Sequence, residues 1–130
     1  MTRPVGIVLV SHSRDLAAGL RALAGQVAAD GAAIEVAGGT DDGGLGTSYD
    51  LIRGAIERAD HGAGILVLPD LGSSVLTARA VLDDHPRADV LLVDAPFVEG
   101  AVAAAATAAA GADLDAVAAA AREARDVRKL

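Results

Sequence analysis

The apolar positions of this chain follow two alternating rhythms. Val5 to Val10 (VGIVLV) is a short, nearly unbroken apolar run rich in β-branched residues, the pattern of a strand covered on both faces. Ser11-His12-Ser13 breaks it. From about Asp15 the period changes: Leu16, Leu20, Leu23 and Val27 recur at spacings of four, three and four, which predicts one apolar face of a helix that Gly31 ends.

The alternation then repeats. Ile34 to Ala37 reads as a second, weaker strand, followed by a glycine-rich loop from Gly38 to Gly46 (GGTDDGGLG). Thr47 or Ser48 is placed to cap a helix whose apolar face is Leu51, Ile52, Ala55, Ile56 and Ala59. Ile65 to Leu68 predicts a third strand ended by Pro69-Asp70. Gly72-Ser73-Ser74 leads into a helix from about Val75 to Leu82, and Val90 to Val93 predicts a fourth strand before Asp94-Ala95-Pro96. Two alanine-rich helices, Ala101 to Ala110 and Leu114 to Ala124, complete the chain, with Asp113 as the cap of the second.

Strands alternating with helices define an α/β fold: a three-layer open sheet of four parallel strands with helices on both faces, joined by right-handed crossovers. The 130 residues fit one domain, residues 1–130. Sites in such sheets lie outside the C-terminal ends of the strands. Here those exits carry Ser11-His12-Ser13, Gly38-Gly39-Thr40, Asp70 to Ser74, and Asp94-Ala95-Pro96.

Composition narrows the chemistry. Apolar residues make up 52% of the chain but aromatic ones only 2%, so the core must be built from Val, Leu, Ile and Ala. The absence of cysteine excludes disulfides, thiolate metal sites and cysteine nucleophiles. A formal net charge of −7, with no cluster of cations before the last few residues, argues against nucleic acid and an acidic membrane surface as partners. The basic tail, Arg122, Arg125, Arg128 and Lys129, is read as complementing a helix C-terminus. No apolar run reaches the ~18 residues of a membrane span, and no cleavage signal follows Met1-Thr2-Arg3-Pro4, so a soluble cytoplasmic protein is expected.

Of the three histidines, His61 and His85 are expected in exposed loops at the opposite end of the sheet. His12 directly follows a buried strand at the site end. Asp70 follows the third strand as His12 follows the first, so the two meet if those strands are neighbours. A carboxylate accepting from Nδ1–H fixes the tautomer, frees Nε2 as a nucleophile and stabilises a cationic ring. Gly72, Ser73 and Ser74 open a helix whose free N–H groups and dipole favour an anion, and Gly39 and Thr40 stand at the neighbouring strand exit. No Walker-type lysine motif and no G-x-G-x-x-G fingerprint follows the first strand, which argues against direct nucleotide binding. No carboxylate cluster has metal-site spacing; the adjacent Asp41 and Asp42 are read as loop solvation. No cofactor and no metal are expected.

Taken in order, Val10-Ser11-His12-Ser13, Gly39-Thr40-Asp41, Gly46-Thr47, Asp70-Leu71-Gly72-Ser73, Ala95-Pro96-Phe97-Val98-Glu99-Gly100 and Gly111-Ala112-Asp113 resemble the EIIA-like phosphotransferase subunits of PEP-dependent dihydroxyacetone kinases. That family is related to the EIIA domains of mannose-type sugar transporters, and the P-F-V-E-G segment favours the dihydroxyacetone branch. The resemblance implies a homodimer built on a four-stranded sheet, with the phosphorylated histidine at His12 and the aspartate that holds it at Asp70. It implies a phosphoryl group arriving from the phosphohistidine of HPr and passing to ADP held on the kinase's ADP-binding subunit. The ATP so formed then phosphorylates dihydroxyacetone on a third subunit. Because the sequence ends at Leu130, it implies a stand-alone carrier with separate donors.

Three other readings compete. A sugar-transporter EIIA would run the same chemistry toward another acceptor. A cobalt or iron chelatase also begins with a strand and a histidine turn like His12-Ser13-Arg14, but needs further ligands. A non-catalytic dimeric regulator would keep the fold with an inert His12. Arg14 is read as a solvated side chain.

Overall fold

The computed structural model describes residues 3–130; Met1 and Thr2, part of the stretch read for a leader, lie outside the described residues. Four strands, β1 (Gly6–Ser11), β2 (Ala33–Gly38), β3 (Ile65–Pro69) and β4 (Val90–Leu92), form one parallel sheet in the order β2-β1-β3-β4. Five helices accompany them: α1 (Arg14–Val27), α2 (Tyr49–Ala59), α3 (Gly72–Asp84), α4 (Phe97–Ala109) and α5 (Leu114–Glu123). The three-layer α/β arrangement expected from the sequence is the one observed.

Side-chain alternation along the strands sorts the core into two faces. Val5, Ile7 and Leu9 point with Leu66 and Leu68 toward α1, α4 and α5, whereas Val8, Val10, Ile65 and Val67 point toward α2 and α3. Because both faces are covered, β1 is buried along its whole length, which is why its sequence shows no polar alternation.

α1 departs from the expected face. Leu16, Leu23 and Val27 are about half exposed; Leu20 is buried as expected, together with Ala17 and Ala24. The cause is close approach: α1 lies over the end of β2 so tightly that a Cβ on Gly38 would sit 2.9 Å from the Ala17 Cβ and 2.8 Å from the Arg14 Cα. At this point of closest approach only a side chain as small as that of Ala17 fits, while Leu20 packs into the core farther along the helix. The helix also ends at Val27 rather than at Gly31, the chain reversing through left-handed Ala29 and Asp30 at φ +50° and +59°. α3 begins at Gly72, earlier than expected, and α4 begins at Phe97.

One contact at the far end of the sheet sets the spacing of its second face. A Cβ on Gly6 would lie 2.1 Å from the Ala59 carbonyl oxygen, backbone that has no room to yield. Gly6→Ala is therefore expected to cost about 2–3 kcal/mol and to lower the melting temperature by roughly 10 °C, measured by thermal unfolding. An unchanged midpoint would mean that α2 is not seated so closely on β1.

Candidate functional site

The strand order makes β1 and β3 direct neighbours, paired in parallel from Gly6↔Ile65 to Val10↔Pro69. Their exits therefore lie side by side. His12 occupies a two-residue connector: β1 ends at Ser11, and Ser13 caps α1, its hydroxyl accepting from the Leu16 N–H at 3.1 Å. A connector this short, pinned by a buried strand on one side and a capped helix on the other, leaves the imidazole little freedom. Asp70 is tied in by its own N–H, which donates to the Val10 carbonyl at 2.9 Å.

The two side chains meet. His12 Nδ1 lies 2.9 Å from Asp70 Oδ1, with the aspartate side chain 7% exposed and the histidine 25% exposed. Five donors converge on the carboxylate. Oδ1 accepts from the His12 ring, from the Ser74 hydroxyl at 2.7 Å and from the Leu71 N–H at 2.7 Å. Oδ2 accepts from the Ser11 hydroxyl at 2.9 Å and from the His12 N–H at 3.0 Å. Burial is the largest single influence on this carboxyl and pushes its pKa up. The hydrogen bonds from Ser74, from the His12 N–H, from the His12 ring and from Ser11 together outweigh it and hold the pKa at about 2.

An ionised carboxylate only accepts, so Nδ1 carries the proton and Nε2 presents a lone pair. The Ser74 oxygen, 3.2 Å from Nδ1, shares that ring N–H with Asp70. Nε2 faces the other way and accepts from the Ser73 hydroxyl. Ser73 belongs to the first turn of α3, whose N-cap residue, Leu71, makes no side-chain capping bond. α1, α2 and α5 are all capped by side chains, from Ser13, Ser48 and Asp113. The helix end facing Nε2 is thus left with free N–H groups, the arrangement that binds anions.

The structure sorts the residues singled out from the sequence. His12, Asp70, Gly72, Ser73 and Ser74 are brought together. Ser74, read as a phosphate donor, is fully buried and spends its hydroxyl on Asp70 instead. Gly39 and Thr40 lie nearby but use their donors within the chain: the Gly39 N–H on Ser11, the Thr40 N–H on Gly44, and the Thr40 hydroxyl on Asp42. What the glycine-rich loop does supply is a brace, since the Gly46 N–H donates to the His12 carbonyl at 3.0 Å. Gly39 stands at φ +74°, a conformation that favours glycine.

Ser11 is the participant that sequence reasoning missed. It is fully buried, donates to Asp70 and accepts from the Ser13 N–H at 3.0 Å. The available signal was a hydroxyl at the end of an otherwise wholly apolar buried strand. His61 and His85 are exposed and away from this cluster. The His61 carbonyl accepts from Arg3 ahead of β1, and His85 ends α3 with its ring 6.5 Å from that of Tyr49. Arg14 is exposed, as expected. Among the described residues no group of three or more His, Asp or Glu side chains is placed to hold a metal, and no helix is long and apolar enough to cross a membrane.

The parallel four-stranded sheet sets a histidine–aspartate pair at its central strand exits, beside an uncapped helix end, and comparison with known families puts the chain in the class of phosphotransferase-system IIA domains. The family model of that class, EIIA-man (PTS system fructose IIA component), matches residues 6–118. The chain is 38% identical over 106 residues to phosphoryl donor subunit DhaM of PEP-dependent dihydroxyacetone kinase 1 from Listeria innocua, covering 82% of this chain and 83% of that protein. It is 40% identical over 119 residues to the corresponding subunit of Escherichia coli K12, covering 87% of this chain but only 25% of that longer protein. A crystal structure of a protein of unknown function, EF1359, superposes with a TM-score of 0.80 at 36% identity, covering 92% of this chain and 94% of the other. The chain belongs to the EIIA-man family, in the branch of the DhaM phosphoryl donor subunits.

Proposed function

We propose that this chain, as one EIIA-like unit spanning residues 1–130, is the phosphoryl donor subunit of a PEP-dependent dihydroxyacetone kinase and carries the phosphoryl group on Nε2 of His12. It works in the cytoplasm, as a homodimer. The single observation that carries the reading is the polarity of the imidazole. Nδ1–H is fixed on an ionised Asp70, while Nε2 points at the uncapped start of α3 and the Ser73 hydroxyl.

The chemistry follows from that polarity. The Nε2 lone pair attacks phosphorus in the phosphohistidine of HPr. The new bond is Nε2–P; the bond that breaks is the donor's N–P, whose electron pair returns to the donor nitrogen. Positive charge moves from the donor ring to the His12 ring, where the Asp70 anion at 2.9 Å stabilises it without taking the proton. The phosphoryl oxygens are received by the free N–H groups at Gly72 and Ser73 and by the Ser73 hydroxyl, which turns from Nε2 to the oxygens. The second transfer is the reverse attack, with a terminal oxygen of ADP on the kinase's ADP-binding subunit displacing Nε2. The carrier is therefore half of a phosphotransferase and completes no reaction alone.

Its test is reconstitution. With phosphoenolpyruvate, enzyme I, HPr, both kinase subunits, ADP and dihydroxyacetone, the expected result is dihydroxyacetone phosphate formed only when this chain is added. Phosphoryl uptake with no delivery to the ADP-binding subunit, but with delivery to a sugar permease, would replace this acceptor with the sugar-transport one.

A further inference from the structure

Among the described residues two polar ones are fully buried, Ser11 and Ser74, and both hydroxyls end on one carboxylate. Taking a hydroxyl out of water is unfavourable unless it finds a partner, so the bond to Asp70 is what these two positions are built around. The main-chain donors to the same group, the His12 and Leu71 N–H, arrive with the turns that carry them. The hydroxyls are separate choices of side chain. Ser74 stands in the first turn of α3, donates nowhere else, and could be replaced there by alanine without loss of helix propensity.

The two serines load different oxygens. Ser74 donates at 2.7 Å to Oδ1, the oxygen that lies 2.9 Å from the His12 ring nitrogen. Ser11 donates at 2.9 Å to Oδ2, which bonds the His12 main chain rather than the ring. A hydroxyl on Oδ1 competes with Nδ1–H for the same negative charge, so it weakens the hold of the carboxylate on a cationic ring. Burial raises the Asp70 pKa; of the hydrogen bonds that bring it down to about 2, that from Ser74 is the largest and that from Ser11 is smaller. The Ser74 oxygen also lies 3.2 Å from Nδ1 and there supports the ring, but this is the longer of its two contacts.

A carrier must release the phosphoryl group as readily as it takes it. Resting on the carrier reading above, we propose that Ser74, with Ser11 behind it, is a positioning residue that sets the phosphoryl-transfer equilibrium of His12. By donating to Asp70 it limits the charge offered to the ring once Nε2 bonds phosphorus. The Nε2–P bond is then held weakly enough to break toward the acceptor, its electron pair returning to Nε2. Without that hydroxyl Asp70 turns more fully to the ring, and the phosphorylated form is over-stabilised.

The experiment measures uptake from phosphorylated HPr and return to HPr in single turnovers, together with the ratio of phosphorylated forms at equilibrium. Ser74→Ala is expected to move that ratio about tenfold toward the phosphorylated carrier, chiefly by slowing return to HPr and delivery to the ADP-binding subunit. Ser11→Ala should move it the same way by about threefold, because its bond lies on the oxygen away from the ring. Ser74→Cys, a weak donor of similar size, should fall between Ser74→Ala and wild type, and it carries the test if the alanine variant fails to fold. A merely structural hydroxyl would slow uptake and return alike; an unchanged ratio therefore overturns the proposal. A ratio displaced toward HPr overturns it as well, since the Ser74 oxygen would then act through its 3.2 Å contact with the ring. A wild type that takes up no phosphoryl group removes the carrier reading itself, and this inference with it.

Discussion

His12→Ala is expected to take up no phosphate from phosphoenolpyruvate, enzyme I and HPr, a loss of at least about 10⁴-fold, while its circular dichroism matches wild type. The nucleophile has no substitute. Ser73 and Ser74 lie close, but Ser73 loses its base with the imidazole, and Asp70, held at about 2, is too weak a base to take the Ser74 proton. The fold survives because the His12 side chain is a quarter exposed and packs into neither core cluster. The stability of the label is as informative as its amount. Phosphate on the wild type should be lost in acid and kept in base, as P–N bonds are. An acid-stable label, or any label on His12→Ala, means that a hydroxyl or another nitrogen is the carrier and ends the assignment.

Asp70→Asn is expected to slow transfer by about 10³-fold, again in a folded protein. Two effects add. The amide removes the negative charge that stabilises the phosphorylated, cationic ring. It also offers one acceptor oxygen where five donors converge, and its NH₂ group meets the Ser11 hydroxyl or the His12 N–H head on. In the other orientation the NH₂ group meets the ring Nδ1–H, and the imidazole loses its fixed tautomer. Single-turnover transfer from phosphorylated HPr reads the effect directly, and a rate within a few-fold of wild type would show that Asp70 is merely structural.

The same residue shapes the acid limb of stability. Its carboxyl sits at about 2, below the 3.8 of an ordinary aspartate, so folding favours the ionised form. The contribution, about 2 kcal/mol, is complete above roughly pH 4 and is lost as pH falls through about 2. Urea unfolding followed between pH 5 and 2 should show wild type weakening through that window. Asp70→Asn, already less stable at pH 5, should lack this component of the decline. Parallel curves would mean that the carboxylate is not held low in the folded protein.

How much of this was legible beforehand differs element by element. The central strands β1 and β3 were readable because each is a short apolar run ended by Ser or Pro, and burial on both faces leaves no other pattern; the edge strand β2 carries Glu35 and is only partly buried, so its signal is weaker. The caps Ser48 and Asp113 were readable for a local reason: a side chain bonding a main-chain N–H three residues on needs only its own segment. The face of α1 was misread. Periodicity picks out the large residues Leu16, Leu23 and Val27, whereas the sheet selects for smallness, and only the approach of Gly38 to Ala17 reveals that.

The site shows the same division. The sequence by itself determined that a histidine and an aspartate would leave two strands at the reactive edge, because strand exits are set by local pattern and by the handedness of crossovers. Which strands are neighbours is a global property, and the order β2-β1-β3-β4 decided it, bringing His12 to Asp70 across 58 residues of chain. Tertiary structure alone assigned the hydroxyls: Ser74 and Ser11 to the carboxylate, Ser73 to Nε2, Thr40 to its own loop. The physical reason is reach. A hydroxyl bonds whatever lies within about 3 Å, and for side chains far apart in sequence that neighbour exists only once the chain has folded.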